Sequence, residues 1–226
     1  MISCFDFDLL SGPLFIIKSL QRRRLKGLAS YLGGDVLDIG CGSRPYRGFL
    51  DCRSYIGIDG SIQVKPDICA GSLNIPFKDS SFDSVVCTEL LEHLKEPGEC
   101  LEEIKRVLRP GGYLYLSAPQ SWGLHYEPQD YWRFTRYGLD YLLEKHNFRL
   151  VKMERVGGYF SLIGQESVDF IWSALKGVFF FLGQVSAERI ASVFCLGPSL
   201  LFYILGRAMD RMEHRYALGW AVLARK

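Results

Sequence analysis

Two acidic residues and two glycines have the types and the spacing of a site for a nucleoside-containing cofactor. The segment "VLDIGCG" carries Asp38, Gly40 and Gly42 at the end of an apolar run, where glycines let the backbone approach a ligand. Asp59 follows roughly 20 residues later, as expected for a carboxylate that binds ribose hydroxyls. Pro45 stands where a dinucleotide-binding turn needs its third glycine, and Asp38 suits a cationic amino group better than a pyrophosphate. In a purely structural alternative, Asp38 caps the neighbouring turn.

A second group of reactive side chains lies in the segment 119–135, "PQSWGLHYEPQDYWRFT". His125 is the candidate general base, because the ordinary pKa of histidine lies near neutrality. Tyr131 and Arg133 are candidates to stack on a ring or to clamp an anion. Glu127 and Asp130 are candidates to orient the histidine or to bind a sugar hydroxyl. The alternative is that this aromatic loop only covers the cofactor and takes no part in chemistry.

Strands alternate with amphipathic helices along most of the chain. Thr135 is the predicted N-cap of one helix, and Gly111 and Gly112 are predicted to end another. The alternation predicts an α/β fold with a parallel, doubly wound sheet, in which ligands bind at the carboxyl ends of the strands. The predicted strands are 35–40, 54–59, 66–70, 82–87, 113–119, 148–158 and 215–226, and the predicted helices of this region are 14–32, 97–112 and 135–148.

Four segments in the same order and spacing resemble the class I methyltransferases that use S-adenosylmethionine. They are "DIGCG", "GIDGS", "LNIPFKDSSFDSVVCTELLEHL" and "EIKRVLRPGGYLYLSAP", and they span about 35–119. The chain resembles the small type 11-like methyltransferases, which are related to quinone- and sterol-methylating enzymes. The resemblance implies a seven-stranded, mostly parallel Rossmann-like sheet, with "RYALGWAVLARK" as an antiparallel last strand.

The resemblance also implies a role for each residue that matches a family motif. A gap in the pattern is Gly71, which stands where relatives often have an acid for the adenine amino group, so adenine recognition is expected to use backbone groups and apolar contact. The implied residues are Asp38, Gly40, Cys41 and Gly42 around the methionine part, Asp59 on the ribose, Gly60, Ser72 and Leu73 near the adenine, and Thr88 and Glu89 at the methionyl end. No metal ligand is expected.

The segment 159–212 is longer and more apolar than the fold requires, and we interpret it as a helical insertion before the last strand. Its stretch 190–206 has no charged residue, but "GP" at 197–198 is predicted to interrupt it. Three functions remain open: contact with a membrane surface, a cap over a lipophilic substrate, and a dimer interface. The predicted organisation is a basic N-terminal helix in 1–32, a methyltransferase core in 33–158, the insertion, and the last strand in 213–226.

Composition and charge bear on the partners and on the cellular compartment. The chain has 226 residues and a net charge of +2, so charge alone does not favour nucleic acid. Its seven cysteines form no C-x-x-C pair, which indicates reduced thiols in the cytoplasm, and the acidic N-terminus does not resemble a signal peptide. We therefore expect a cytoplasmic enzyme, with contact at the inner face of the membrane as one alternative, and the oligomeric state stays open.

The expected activity is methyl transfer from S-adenosylmethionine to a small-molecule or lipid-linked acceptor, of a glycan or quinone-like kind. Two alternatives stay open: a methyltransferase with no membrane role, and an inactive cofactor-binding relative that serves as a partner subunit. A nicotinamide-dependent dehydrogenase is disfavoured by Asp38 and Pro45.

Overall fold

The computed structural model describes residues 13–226, which contain a seven-stranded sheet and five α-helices. Residues 1–12 of the predicted N-terminal segment 1–32, with Cys4, lie outside this range, whereas the helix predicted at 14–32 lies within it. The five α-helices of this range are α1 (Phe15–Leu28), α2 (Pro97–Val107), α3 (Arg136–Lys145), α4 (Tyr159–Val178) and α5 (Gln184–Met209). The strands are β1 (Asp35–Ile39), β2 (Ser54–Asp59), β3 (Ile68–Cys69), β4 (Phe82–Thr88), β5 (Leu108–Pro119), β6 (Arg149–Val156) and β7 (Gly219–Arg225).

The sheet has the strand order β3-β2-β1-β4-β5-β7-β6, which confirms the predicted mostly parallel, doubly wound α/β architecture. Strands β1 to β5 pair in parallel, and β7 is antiparallel to β5, as the resemblance implied. Strand β1 lies between β2 and β4, where the chain order of the strands reverses. Crevices at such a reversal bind ligands in this class of sheet.

Strand β1 has the sequence DVLDI, and its apolar residues are buried because both faces of the strand are covered. Val36, Leu37 and Ile39 are completely or almost completely buried, as is usual in the central strands of a parallel sheet. Ile39 is paired with Ile58 of β2 and with Cys87 of β4. The residues that follow Ile39, Ile58 and Cys87 therefore leave the sheet at the same edge.

Helix α2 and strand β5 differ from the sequence prediction at their junction. The helix ends at Val107, and Leu108 already has the extended conformation of β5, so Gly111 and Gly112 lie within the strand instead of ending the helix. A Cβ atom on Gly112 would lie 2.9 Å from the carbonyl oxygen of Asp83, so glycine is required here by the close approach of β4. By contrast, the predicted N-cap of α3 is confirmed, because the Thr135 hydroxyl accepts a 3.1 Å hydrogen bond from the N–H of Gly138.

The prediction that Gly197 and Pro198 interrupt the insertion is wrong, because α5 continues through both residues. A proline inside a helix removes one hydrogen bond and costs about 3 kcal/mol. Buried Ala191, Cys195 and Ser199 lie on both sides of the proline and face away from solvent, and this packing holds the helix together. The segment Gln184–Met212 is long and apolar enough to cross a bilayer by length and composition, and 22% of its most apolar window is buried.

Contacts divide the chain into two compact units. One contains residues 23–154 and 219–226, that is, most of the sheet with α2 and α3. The other contains, among the described residues, 13–22 and 155–218, which include α4 and α5. The carboxylate of Asp210 holds the second unit together at the start of α4, where it accepts hydrogen bonds from Gly158 N–H (2.7 Å) and Ser161 Oγ (2.6 Å).

Candidate active site

The turn after β1 has a backbone conformation that only glycine adopts without strain. Gly40 and Gly42 have φ angles of +67° and +49°. A Cβ atom on Gly40 would also lie 3.2 Å from Leu90 Cδ1. The N–H groups of Gly40 and Cys41 both donate to the carbonyl oxygen of Ile58, at 2.9 and 3.1 Å, and this fixes the turn against β2.

Asp59 is oriented by the backbone at the end of β2. Its Oδ2 accepts a hydrogen bond from Gly42 N–H at 3.0 Å, and its Oδ1 accepts one from Ser61 N–H at 2.8 Å. A carboxylate oxygen can accept more than one hydrogen bond, so both oxygens can also accept from a pair of ribose hydroxyls. The geometry therefore suits the role that the sequence assigns to Asp59.

Asp38 is buried beside this turn with one oxygen unsatisfied. The Tyr55 hydroxyl donates a hydrogen bond to Oδ2, whereas Oδ1 has no partner among the described residues. Burial raises the pKa of Asp38 to about 7, and the negative charge of Asp59 adds to the increase. A buried polar atom without a partner is costly, and a cationic amino group from a ligand would satisfy it. The turn-capping alternative receives no support from these contacts.

Cys41 contributes packing rather than a reactive thiol. Its side chain is buried, and its sulfur would lie 2.8 Å from a Cβ atom on Gly57 of β2. Burial raises the pKa of this thiol to about 11, with a further increase from the charge of Asp38. Because its N–H group already binds Ile58, the residue is placed to shape the turn.

The residues predicted to flank the adenine lie around the ends of β2 and β3. Gly60 directly follows β2, Ser72 is half-buried, and the Leu73 side chain is 44% exposed. Ile62 is 71% exposed just after Ser61 and is a further candidate that the sequence analysis did not name. Exposed apolar side chains at this position fit contact with a flat aromatic base.

Thr88 and Glu89 lie at the end of β4, next to the reversal point of the sheet. Thr88 is half-buried, and Glu89 has a φ angle of +48°, which is uncommon for a residue with a side chain. Ser117 of β5 holds Glu89 in place, because Glu89 N–H donates to its carbonyl oxygen (3.0 Å) and its hydroxyl donates to Glu89 Oε1 (2.7 Å). Backbone strain of this kind occurs frequently at functional sites.

Glu92 and His93 form a polar cluster in the turn after β4. From the sequence, His93 is a candidate either to hydrogen-bond near the cofactor or to pack a helix, whereas Glu92 was not predicted. The carboxyl of Glu92 is fully buried, and neither of its oxygens has a hydrogen-bond partner among the described residues. Burial raises the pKa of Glu92 to about 9, with a further increase from the charge of Glu89. The signal in the sequence is "LLEHL", in which an acid and a histidine stand between leucines. Polar residues among leucines in a buried turn are not explained by packing.

The loop after β5 brings His125 to this cluster. The rings of His93 and His125 lie 4.8 Å apart, and ligand atoms of Glu92, His93 and His125 all lie within 4.8 Å of one another. The loop folds back through the N–H groups of Tyr131 and Trp132, which donate to the carbonyl oxygen of Glu92 at 2.8 and 3.2 Å. Imidazole and carboxylate side chains suit proton transfer, and both also occur as ligands of transition metals. No metal ligand was expected from the sequence.

The ring nitrogens of both histidines are oriented by their neighbours. His93 Nδ1 lies 2.6 Å from the carbonyl oxygen of Gln129, which can only accept, so we assign the proton to Nδ1 and leave Nε2 as an acceptor. Burial lowers the pKa of His93 below its usual range. His125 Nδ1 lies 3.2 Å from the Gly123 carbonyl oxygen, 3.4 Å from Asp130 Oδ2 and 3.5 Å from Arg133 Nη2. The two oxygens can only accept a hydrogen bond, so we assign the proton of His125 to Nδ1, as in His93.

Arg133 and Asp130 hold the loop together. The guanidinium binds both carboxylate oxygens of Asp130 at 2.7 and 2.8 Å, and it donates to the carbonyl oxygens of Trp122 and Gly123 at 3.0 and 2.9 Å. Its hydrogen bonds therefore point into the loop, and the residue positions His125. Tyr131 is 41% exposed and contributes its backbone N–H to the contact with Glu92.

A model of the family described as "Methyltransferase domain" matches residues 37–116, which include the turn after β1, Asp59 and the Glu92–His93 turn. The chain carries a class I, S-adenosylmethionine-dependent methyltransferase domain. The match contains every cofactor-binding residue that the resemblance implied, whereas the loop with His125 lies outside it.

Relatives of this methyltransferase domain include enzymes of quinone biosynthesis. The chain is 30% identical over 131 residues to a "Ubiquinone biosynthesis O-methyltransferase" of Paracidovorax citrulli, an alignment that covers 50% of this chain and 55% of that one. It is 28% identical over 182 residues to a protein of the same name in Pseudomonas aeruginosa, with 70% and 76% covered. The chain thus spans about half the length of the first of these relatives.

A solved structure confirms the fold of the methyltransferase domain at low identity. Phosphoethanolamine N-methyltransferase 2 of Haemonchus contortus, in complex with S-adenosyl-L-methionine, has a TM-score of 0.57 and 17% identity, and it covers 99% of this chain and 60% of that one. At this identity the likeness shows the fold alone.

Proposed function

We propose that this protein transfers the methyl group of S-adenosylmethionine to a hydroxyl group of a lipophilic, ring-containing acceptor of the quinol kind. The curated relatives are named as O-methyltransferases of ubiquinone biosynthesis, and this supports an oxygen acceptor on an aromatic ring. The observation that carries the proposal is the pair of oriented histidines, His93 and His125, beside the end of β4.

The chemistry requires a base and an in-line geometry. S-adenosylmethionine would supply the electrophilic methyl group and would leave as the neutral thioether, while the chain would hold the acceptor oxygen in line with it and take up the hydroxyl proton on a base. His125 is the proposed base, through Nε2, and Asp130 stabilises the imidazolium that forms because it lies 3.4 Å from Nδ1. His93 stays neutral because burial lowers its pKa, so it does not compete as a second positive charge. Asp38 binds the amino group of the cofactor and Asp59 binds its ribose.

The proposal is tested with S-adenosylmethionine that carries a labelled methyl group and a solvent extract of cell membranes as the source of acceptor. We expect the label in the organic phase, in a product that resists alkaline hydrolysis because an aryl ether, unlike an ester, is stable in base. Label in the aqueous phase or in an alkali-labile ester would overturn the assignment of the acceptor. Cofactor binding without any transfer would favour the inactive relative instead.

Two variants separate base catalysis from folding of the loop. His125→Ala should lower turnover by about 10²–10⁴-fold at unchanged cofactor affinity, which is the range for loss of a general base. Leu124→Ala serves as the matched control, since Leu124 is adjacent and 74% exposed, and it should retain turnover. Equal turnover of the two variants would remove His125 from the mechanism.

A further inference from the structure

The hairpin of α4 and α5 has small residues inside and large apolar residues outside. A Cβ atom on Gly164 would lie 2.3 Å from Phe202 Cβ, and one on Gly206 would lie 2.3 Å from Ser161 Oγ, so the two helices approach closely. The buried side chains of α5 are small, namely Ala187, Ala191, Cys195 and Ser199, beside Gly206. This distribution is typical of helix pairs in an apolar solvent, in which small residues form the contact.

One face of α5 forms an apolar stripe between two arginines. The apolar stripe consists of Val193, Leu196, Leu200 and Ile204, whose side chains are 41–73% exposed. Their spacing of three or four residues places them on the same side of the helix. Arg189 and Arg207, both exposed, bracket the stripe and are 18 residues apart, which is five turns at 3.6 residues per turn. The arginines thus lie on the same face as the stripe, at opposite ends, about 27 Å apart.

The charges argue against a tip-first insertion of the hairpin and against a second copy as the partner. Helix α4 carries exposed Glu166 and Asp169, which a deep insertion would place in hydrocarbon. If the stripe paired with itself in another copy, Arg189 would face Arg189 or Arg207 of that copy in either orientation, and like charges repel. A flat surface of anionic headgroups instead attracts both arginines while the apolar stripe enters the acyl region between them.

We propose that α5 lies in the plane of a membrane with its apolar stripe buried at the boundary of an anionic lipid surface. Arg189 and Arg207 reach the phosphates at the two ends. Near the connection of the helices, Lys176 and Glu188 form a 3.2 Å ion pair, and Lys176 also lies 4.9 Å from the centre of the Trp172 ring. These two charges therefore compensate each other and do not oppose binding. The proposal is independent of the methyl acceptor.

Flotation with vesicles tests the surface directly. We expect the full chain to bind vesicles of phosphatidylcholine with 30% phosphatidylglycerol at least tenfold more strongly than pure phosphatidylcholine vesicles. Val193→Asp with Leu200→Asp should abolish the binding, and Arg189→Gln or Arg207→Gln should weaken it about fivefold each. The matched control is Tyr137→Asp on α3, a side chain that is 71% exposed, which should bind as the unchanged protein does.

Two further measurements keep each outcome decisive. Cofactor affinity and thermal unfolding should be unchanged in the stripe variant, because the substituted side chains are exposed. Spin labels at 193 and 204, with the accessible native cysteines replaced by serine, should report equal depths. A large difference in depth would replace the in-plane orientation by a tip-first one, and a dimer that only the stripe variant dissociates would assign the surface to a second copy. Equal binding by the stripe variant would overturn the proposal.

Discussion

The buried carboxyl of Asp38 makes cofactor binding depend on pH in a way that can be calculated. The group binds an amino cation only when it is ionised, and burial raises its pKa to about 7 in the free protein. At pH 6 about a tenth of the molecules have this carboxyl ionised, against about 70% at pH 7.4. The amino group of the cofactor, with an ordinary pKa of about 8, loses its charge above that range. Affinity should therefore be highest near pH 7.4 and about sixfold weaker at pH 6.

Calorimetry of S-adenosylmethionine binding at several pH values measures this dependence. Below pH 7, binding should release a proton, which is detected by repeating the titration in buffers of different ionisation enthalpy. Asp38→Asn should weaken binding at pH 7.4 and remove the decrease on the acid side. Asp83→Asn is the control, because Asp83 pairs with Arg109 at 2.7 Å and with the N–H of Asp35, at the amino-terminal ends of β4 and β1. An affinity that does not change between pH 6 and 7.4 would refute the reasoning.

The same carboxyl should make the free protein less stable in alkaline solution. A group whose pKa is raised on folding stabilises the folded state below its ordinary pKa, here 3.8, and this contribution is lost as the pH rises towards 7. At 1.36 kcal/mol for each pH unit, the loss is about 4 kcal/mol. Asp38→Asn should thus raise the melting temperature of the cofactor-free protein at pH 8 while it weakens cofactor binding. A lower melting temperature of Asp38→Asn at pH 8 would show that the ionised carboxylate does not destabilise the free protein.

Three further predictions concern other parts of the domain. Asp59→Ala should weaken cofactor affinity by at least 30-fold in calorimetry. The substitution removes the expected acceptor for the ribose hydroxyls, together with two hydrogen bonds from backbone N–H groups of about 1.5–3 kcal/mol each. A smaller loss of affinity would place the ribose elsewhere. Burial raises the pKa of Glu92 to about 9, so the free energy of unfolding should fall between pH 5 and 9 as this carboxyl ionises. Glu92→Gln should remove part of this fall in thermal unfolding. If the melting temperature of the variant depends on pH as that of the unchanged protein does, the burial of Glu92 is contradicted. Thr135→Ala should destabilise the protein by about 1 kcal/mol in denaturant unfolding through loss of the N-cap of α3, whereas Thr135→Ser should have little effect.

The cofactor turn could be predicted from the sequence because its signals are local. Asp38, Gly40 and Asp59 occur at fixed distances from the ends of two apolar runs, and a parallel sheet brings such ends to one edge. The contacts of Asp59 with Gly42 and Ser61 then follow from short segments of chain. Local spacing is thus sufficient to place these residues together, and their role in cofactor binding stays a prediction.

The histidine cluster could not be predicted in the same way. Glu92 and Tyr131 are joined across 39 positions of the chain by a hydrogen bond between backbone groups, which carries no side-chain signal in either segment. Likewise, Pro198 predicted a break in α5, because a local rule contains no information on the packing that holds the helix on both sides of it. Tertiary contact decided both cases.

The two buried carboxyls with unsatisfied oxygens, those of Asp38 and Glu92, are expected to serve different purposes, namely cofactor binding and proton transfer. Asp38 Oδ1 and both oxygens of Glu92 lack hydrogen-bond partners among residues 13–226, although Glu92 Oε1 lies 3.8 Å from His93 Nε2. Burial of such atoms is costly unless a ligand or a proton satisfies them. Asp38 lies at the end of β1, where it would receive the cationic amino group of the proposed cofactor, whereas Glu92 lies after β4 beside two histidines. Each carboxyl therefore lowers the free energy of unfolding of the free protein in alkaline solution. Binding of the cofactor and the acceptor would raise the free energy of unfolding again. The stability of the free protein above pH 7 and its affinity for the cofactor are therefore opposite consequences of the same buried groups.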